Sequence, residues 1–159
     1  MLVRRLTPYH GNAGKRLVKS PEIYVRDSGL VHALLGLPDF NALAGHPVAG
    51  TSWEGFVIEN LLSVSPPRTH GSFYRTSAGA EIDLLMELPD GERWAIEIKH
   101  VLSPKLDKGF YHARRDIQPD RSFIVYAGQE RYPRSEDVEV IGLNELAKEL
   151  SAMARGPSS

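Results

Sequence analysis

The chain has 159 residues and a mass of 17.7 kDa, which is the size of one ordinary domain and enough to bury a core without disulfides. Hydrophobic residues make up 42% and charged residues 25%, which excludes wholesale disorder, and the net charge of −1 is unlike that of a protein that coats DNA. The absence of cysteine excludes thiol catalysis, and no apolar run is long enough to span a bilayer, so we expect a globular cytoplasmic domain.

Residues 1–38 are predicted to form an extension that does not fold alone. Two strand-like runs, LVRRLTPYH and KRLVKSPEIYVRD, flank a turn at residues 11–14 and predict a hairpin. Pro21 interrupts the second run and places it at a sheet edge. A short helix is expected from Asp27 onward, ending near Pro38. Because an isolated hairpin is marginal in water, we expect this segment to pack on a larger domain or on a second copy, as a homodimer.

The domain itself is expected over residues 39–154, with a disordered tail at 155–159. After a loop, Thr51 and Ser52 predict the start of a helix that ends at Pro66. The elements expected after it are strands at 72–76, 81–88 and 93–99, a helix at 105–116, strands at 122–127 and 138–141, and a helix at 143–154. This order predicts a mixed α/β fold whose central sheet is covered on both faces.

Charge is distributed in three blocks along the chain. Residues 1–19 contain five basic residues and no acidic one, whereas residues 79–97 contain six acidic residues and one basic. Residues 104–134 contain seven basic and four acidic residues. An acidic segment between two basic ones is compatible with a carboxylate-bound metal beside a phosphate-binding rim, and also with an ordinary surface of patchy charge.

The second and third strands of the predicted sheet contain the residues best suited to chemistry. Period-two alternation puts Glu97 and Lys99 on one face of the third strand. In the second strand it puts Ile82 and Leu84 on one face and Asp83 on the other. If a hairpin pairs the two strands, Asp83 lies beside Glu97, next to a lysine. Two such carboxylates repel each other unless a proton or cation lies between them, and Mg²⁺ prefers oxygen ligands of this kind.

Simpler interpretations of these residues stay open. Glu97 and Lys99 could form an exposed salt bridge with Asp83 as a solvated neighbour. The near-continuous apolar run AIEIK favours instead a strand covered on both faces, where a charged pair is costly unless it lines a site. On the preceding helix, the helical wheel turns Glu54 toward the sheet and Glu59 toward solvent, although the helix dipole alone also favours an acidic residue in the first turn.

Other residues could contact a substrate. Tyr74 and Arg75 flank the candidate site and could meet a phosphate, although a strand residue beside a surface charge is the simpler interpretation. On the second helix, Arg114 and Arg115, with His112, could line a nucleic-acid groove, and a solvated helix face explains them too. The six histidines lack metal-ligand spacing, which predicts no zinc site.

The motif Gly50-x-x-x-Glu54, Asp83, Glu97-x-Lys99 resembles that of the PD-(D/E)xK nuclease superfamily, whose restriction-endonuclease-like core has the order αβββαβ. Ile82 replaces the proline of that motif, a change the superfamily tolerates. Four longer stretches resemble DUF4143, an uncharacterised domain that follows an AAA-type ATPase in many prokaryotic proteins: KRLVKSPEIYVRDSGLVHALLG, HPVAGTSWEGFVIENLL, FYRTSAGAEIDLLMEL and AIEIK. Residues 11–15 are too short for a Walker A loop, so the chain resembles a fragment or a stand-alone remnant of a longer protein, without its ATPase core.

The resemblance implies a role for each motif residue. Asp83 and Glu97 would be the ligands of a Mg²⁺ ion, Lys99 the catalytic lysine, and Glu54 an assisting carboxylate that acts through a water or a second ion. The expected activity is hydrolysis of DNA phosphodiesters by a domain normally attached to an AAA-type ATPase. The alternative is a catalytically inactive module that binds DNA or a protein partner, since a fold does not dictate a function.

Overall fold

The computed structural model describes residues 3–11, 17–18, 20–26 and 48–157. Eight strands and three helices lie within these ranges. In chain order they are β1 (Val3–Pro8), β2 (Glu22–Val25), α1 (Val48–Val64), β3 (His70–Arg75), β4 (Glu81–Glu87), β5 (Arg93–Ile98), α2 (Lys108–Ile117), β6 (Arg121–Tyr126), β7 (Tyr132–Ser135), β8 (Val138–Gly142) and α3 (Leu143–Arg155).

The strands form one mixed sheet in the order β2-β1-β3-β4-β5-β6-β8-β7. β3, β4 and β5 make an antiparallel meander, whereas β5, β6 and β8 run parallel, with α2 as the connection between β5 and β6. β1 and β2 pair antiparallel, as the sequence predicts, and β1 joins the main sheet by pairing parallel to β3. The prediction of a mixed α/β fold is therefore confirmed.

Helices cover both faces of the sheet, and each face has its own apolar core. α1 and α3 pack on the face to which β5 contributes Trp94 and Ile96. α2 packs on the opposite face, against Ala95 of the same strand. The alternation of β5 is thus the predicted one, and both faces of this strand are covered. Within the described ranges, no helix combines the length and the apolar character needed to cross a membrane.

Several predicted boundaries differ from those of the structure. α1 begins at Val48 rather than after Thr51, and Pro47, directly before it, is a residue favoured at helix starts. α3 continues to Arg155, the first residue of the predicted tail. β7 was not predicted, because this short, exposed edge strand contains Pro133 and has no alternating pattern. The helix predicted from Asp27 lies outside the described residues.

The predicted alternation of β4 is wrong at Ile82. Ser72 of β3 pairs with Leu85, whereas Tyr74 pairs with Ile82, so residues 83–84 of β4 lie opposite a single residue of β3. This is a β-bulge, which re-aims the side chains around it. Ile82 therefore lies in the core beneath α2 together with Leu85. The bulge also determines where the side chain of Asp83 lies.

Candidate active site

A cleft of about 180 Å³ opens at the end of β5, where α1 and the start of α2 approach the sheet. The four residues predicted for catalysis all line it: Glu54, Asp83, Glu97 and Lys99. Two further acidic residues, Glu81 and Asp107, complete its charged lining. The fold therefore brings together charged side chains that are up to 53 positions apart in the sequence, from Glu54 to Asp107. The structure places the four residues around one cleft, and the role of each residue stays a prediction.

Glu97 is a buried carboxylate of the cleft, and only 7% of its side chain is exposed. Its Oε1 atom lies 3.2 Å from the Lys99 ammonium, whereas its Oε2 atom has no hydrogen-bond partner among the described residues. Burial raises the pKa of Glu97 to about 7, although the nearby Lys99 charge opposes this shift. A buried carboxylate oxygen without a partner is costly, and a bound proton or cation would relieve that cost.

The strand register brings Asp83 close to β5. Leu84, the residue after Asp83, pairs with Ile96, the residue before Glu97. The Ile98 amide donates a hydrogen bond of 2.8 Å to Asp83 Oδ2. Burial, followed by the negative charge of Glu54, raises the pKa of Asp83 well above its ordinary value. Two neighbouring carboxylates in this state favour a shared proton or cation.

Lys99 is held between two carboxylates at the end of β5. Its ammonium group forms ion pairs with Glu97 and with Asp107. Burial lowers the pKa of Lys99, but these two ion pairs outweigh burial and raise it, so the side chain stays charged. On the main chain, the Trp53 indole donates to the Lys99 carbonyl oxygen at 3.0 Å, which fixes the strand end against α1.

The sequence analysis missed Asp107. It directly precedes α2, where an aspartate typically caps the helix, yet its side chain makes no capping hydrogen bond and pairs with Lys99 instead. A loop position eight residues after Lys99 has no sequence signal for this contact. Its place before a helix points to capping, which is the wrong role.

Glu54 faces the cleft from α1, as the helical wheel predicts. Its Oε1 atom accepts a hydrogen bond of 2.8 Å from the Tyr24 hydroxyl, and burial raises its pKa. The prediction that Glu59 is solvated is wrong, because only 17% of its side chain is exposed. Glu59 forms ion pairs with Arg4 and Arg26 and so anchors the N-terminal hairpin on α1.

The donors of the cleft fit a hard divalent cation. Mg²⁺ prefers oxygen ligands, commonly binds one or two carboxylates and retains several waters. Asp83 and Glu97 supply two carboxylates that line the same cleft, and the unpartnered Glu97 Oε2 atom is available to coordinate. In the part of the chain that the structure describes, no three His, Cys, Asp or Glu side chains form a metal-holding group. A Mg²⁺ ion held here would therefore depend on water for most of its ligands.

Two of the predicted substrate contacts lie on β3 and are already engaged. Tyr74 is only 1% exposed, and its hydroxyl donates to Asp116 at 3.0 Å, so this conformation offers no Tyr74 surface to a substrate. Arg75 forms ion pairs with Glu22 at 2.7 Å and with Glu81 at 2.5 Å. Its position near the cleft agrees with the prediction, but its charge is compensated.

The other two predicted substrate contacts lie on α2 and differ from each other. Arg114 is half-buried, and its Nε donates to the Ser122 hydroxyl at 2.8 Å, which is a packing role. Arg115 is exposed and lines, with His112, a cavity of about 530 Å³ beside the β3–β4 turn. Of the four predicted contacts, Arg115 is the most exposed, whereas the partly exposed Arg75 is already paired with two carboxylates.

Comparisons with known proteins identify a family without an assigned activity. Uncharacterised proteins of Mycobacterium bovis and Mycobacterium tuberculosis are each 41% identical over 146 residues, which is 92% of this chain and 33% of theirs. The chain thus spans about a third of the length of the curated relatives it matches. No solved structure matches it. Residues 1–41 match the domain of unknown function DUF8612, and residues 49–146 match the domain of unknown function DUF4143. Since the second match covers more than half of the sequence, the chain belongs to the DUF4143 family.

Proposed function

We propose that this chain has a Mg²⁺-dependent phosphodiesterase site that cleaves DNA, on a restriction-endonuclease-like core. The observation that carries the proposal is the buried, unpartnered Oε2 atom of Glu97, next to Asp83 and Lys99 in an open cleft. A purely structural ion pair gives no reason to leave a buried carboxylate oxygen unsatisfied. The order α1-β3-β4-β5-α2-β6 supports the same core, because it is the αβββαβ order of the PD-(D/E)xK superfamily.

Five charged residues of the cleft have a chemical task in this proposal. Asp83 and Glu97 would hold the ion, and bound Mg²⁺ would polarise a phosphoryl oxygen and acidify water. The Lys99 ammonium donates hydrogen bonds to the attacking water or to the negative charge that develops on the phosphate. Asp107 keeps Lys99 charged and oriented toward the cleft. Glu54 is suited to exchange a proton with water, because burial raises its pKa above the ordinary value of a carboxyl group.

The surface of α2 supports a nucleic acid as the substrate. This helix begins at the cleft, where Gly109 and Phe110 form part of the wall, and its next turn presents His112 and Arg115 to solvent. Basic side chains placed along one helix can contact successive phosphates of a strand that enters the cleft. We further propose that the domain acts beside an AAA-type ATPase. About two thirds of each relative lies outside the matched region, which leaves room for such a module.

A plasmid-nicking assay tests the proposed function. The purified full chain is expected to nick supercoiled DNA in Mg²⁺ and not in EDTA. Glu97→Gln is expected to lose this activity, because a neutral amide is a poor ligand for Mg²⁺. Glu136→Gln, the same change at an exposed turn residue, is expected to retain it.

Two results would overturn the enzyme proposal. Equal nicking by wild type and by Glu97→Gln would indicate a contaminating nuclease. Retention of the DNA in a gel-shift assay, with no cleavage in Mg²⁺ or Mn²⁺, would instead identify the domain as a DNA-binding module.

A further inference from the structure

The N-terminal hairpin reaches the wall of the cleft through Tyr24 of β2. The Tyr24 hydroxyl lies 2.8 Å from Glu54 Oε1 and 2.7 Å from Glu22 Oε2. Glu22 in turn pairs with Arg75, which pairs with Glu81. Since Glu54 and Glu81 both line the cleft, a continuous series of polar contacts leaves the cleft, passes through β2 and returns to it.

The Tyr24 hydroxyl has two carboxylate neighbours. A tyrosine hydroxyl has one proton to donate, and its contacts with Glu22 and with Glu54 both have hydrogen-bond length. The two carboxylates therefore compete for that one proton. Glu22 also pairs with Arg75, so removing the Glu22 charge would leave the hydroxyl proton to Glu54.

The hairpin is seated on α1 by shape as well as by charge. A Cβ atom added at Gly55 would lie 3.2 Å from Cδ1 of the Tyr24 ring, which is tighter than ordinary contact, so the absence of a side chain admits the ring. Further along α1, Glu59 pairs with both Arg4 and Arg26. These contacts hold the Tyr24 hydroxyl at a defined position at the edge of the cleft.

We propose that Tyr24 is a positioning residue of the candidate site and that the N-terminal hairpin is required for the geometry of that site. The hairpin fixes the orientation of Glu54 in the cleft, and the relevance of this to catalysis rests on the proposed function. Residues 1–41 and 49–146 match two different family models, so the Tyr24–Glu54 hydrogen bond joins two regions that are recognised separately.

The test follows the titration of Glu54 in the full chain by NMR of its ¹³C-labelled carboxyl group. The groups that face Glu54 are Tyr24 and Glu22 from β2, Arg75 from β3, and Glu81 and Asp83 from β4. Tyr24→Phe is expected to raise the pKa of Glu54 further, because the hydroxyl bond that lowers it is lost. Glu22→Gln is expected to lower it, because a nearby negative charge disappears and the hydroxyl becomes free to donate to Glu54.

Opposite shifts of the Glu54 pKa in the two variants would support the proposal. A general loosening of the structure would instead move the Glu54 pKa in the same direction in both variants. Tyr132→Phe, on β7 at the far edge of the sheet, is the matched control and is expected to leave the titration unchanged. Shifts of the same sign, or no shift in either variant, would overturn the proposal. If Tyr24→Phe does not fold, Glu22→Gln decides alone: a downward shift supports the proposal and no shift overturns it.

Nicking assays on the same samples separate this proposal from the proposed function. Without Mg²⁺-dependent nicking by the wild type, the proposed function fails, while the titration of Glu54 still tests the positioning role of Tyr24. In an active chain, Tyr24→Phe is expected to move the pH profile of nicking in the direction of the Glu54 shift. An unchanged profile beside a shifted titration would overturn the catalytic part of the proposal.

Discussion

Replacing Lys99 with alanine is expected to reduce Mg²⁺-dependent nicking by about 100-fold or more at saturating Mg²⁺, which is the usual loss when one group that stabilises transition-state charge is removed. Lys99 is the cationic side chain that lines the cleft in the described part of the chain, and its pKa is raised by ion pairs, so it is charged at neutral pH. Initial rates of plasmid nicking measure the effect. The Lys99–Asp107 pair is partly exposed, so its loss is expected to change stability by only about 1 kcal/mol. Loss of the pair with the buried Glu97 is expected to raise the pKa of Glu97 further, because the Lys99 charge opposes that shift.

The matched control for this prediction is Lys148→Ala. Lys148 is exposed on α3, in the helical layer opposite α2, and its removal is expected to leave nicking unchanged. Circular dichroism of both variants checks that each is folded. A folded Lys99→Ala variant with wild-type activity would exclude a catalytic lysine at this position. A loss shared by both variants would point to a general charge effect on DNA binding.

The stability of the metal-free chain is expected to fall as the pH rises from about 4.5 to about 7, because Glu97 is buried. Its pKa is about 7 in the folded chain and about 4.5 when exposed, so the folded state binds the proton more tightly. Stabilisation by the bound proton is therefore complete below about pH 4.5 and lost above about pH 7. The difference in the free energy of unfolding is on the order of 3 kcal/mol. Urea unfolding in EDTA at several pH values measures it.

Glu97→Gln is expected to remove most of this pH dependence, because an amide keeps the shape of the side chain and does not ionise. Asp83 contributes a further decrease of the same sign, since burial and the charge of Glu54 also raise its pKa. Glu136→Gln is the control and is expected to keep the wild-type profile. If Glu97→Gln showed the same decrease as the wild type, Glu97 would not be the buried titrating group.

The sequence predicts the positions of Glu97 and Lys99 because the residue pattern of β5 determines the face on which each side chain lies. Its alternating residues occupy two separate apolar cores, and its apolar character marks a strand covered on both faces. This alternation therefore places Glu97 and Lys99 on the same face of the strand. The register of the β4–β5 hairpin then follows from the short turn, and it pairs Leu84, next to Asp83, with Ile96, next to Glu97.

The features that the sequence could not predict depend on contacts between distant segments. The bulge at residues 83–84 arises from pairing with β3, so the pattern of β4 alone gives the wrong face for Ile82. Asp107 has the local sequence signature of a helix cap. It pairs with Lys99 instead, because the fold places the loop before α2 beside the end of β5. Tyr24 lies in a strand that the sequence shows only as an edge, and its partner on α1 is 30 residues away.

The central claim is that Asp83 and Glu97 share one divalent ion, and isothermal titration of Mg²⁺ into the full chain at pH 8 tests it most directly. The wild type is expected to bind Mg²⁺, and Asp83→Asn and Glu97→Gln are each expected to weaken binding about 10-fold or more, since each removes one of two charged ligands. Glu136→Gln is expected to bind like the wild type. Absence of Mg²⁺ binding to the wild type, or equal affinity in the Asp83 and Glu97 variants, would contradict the claim.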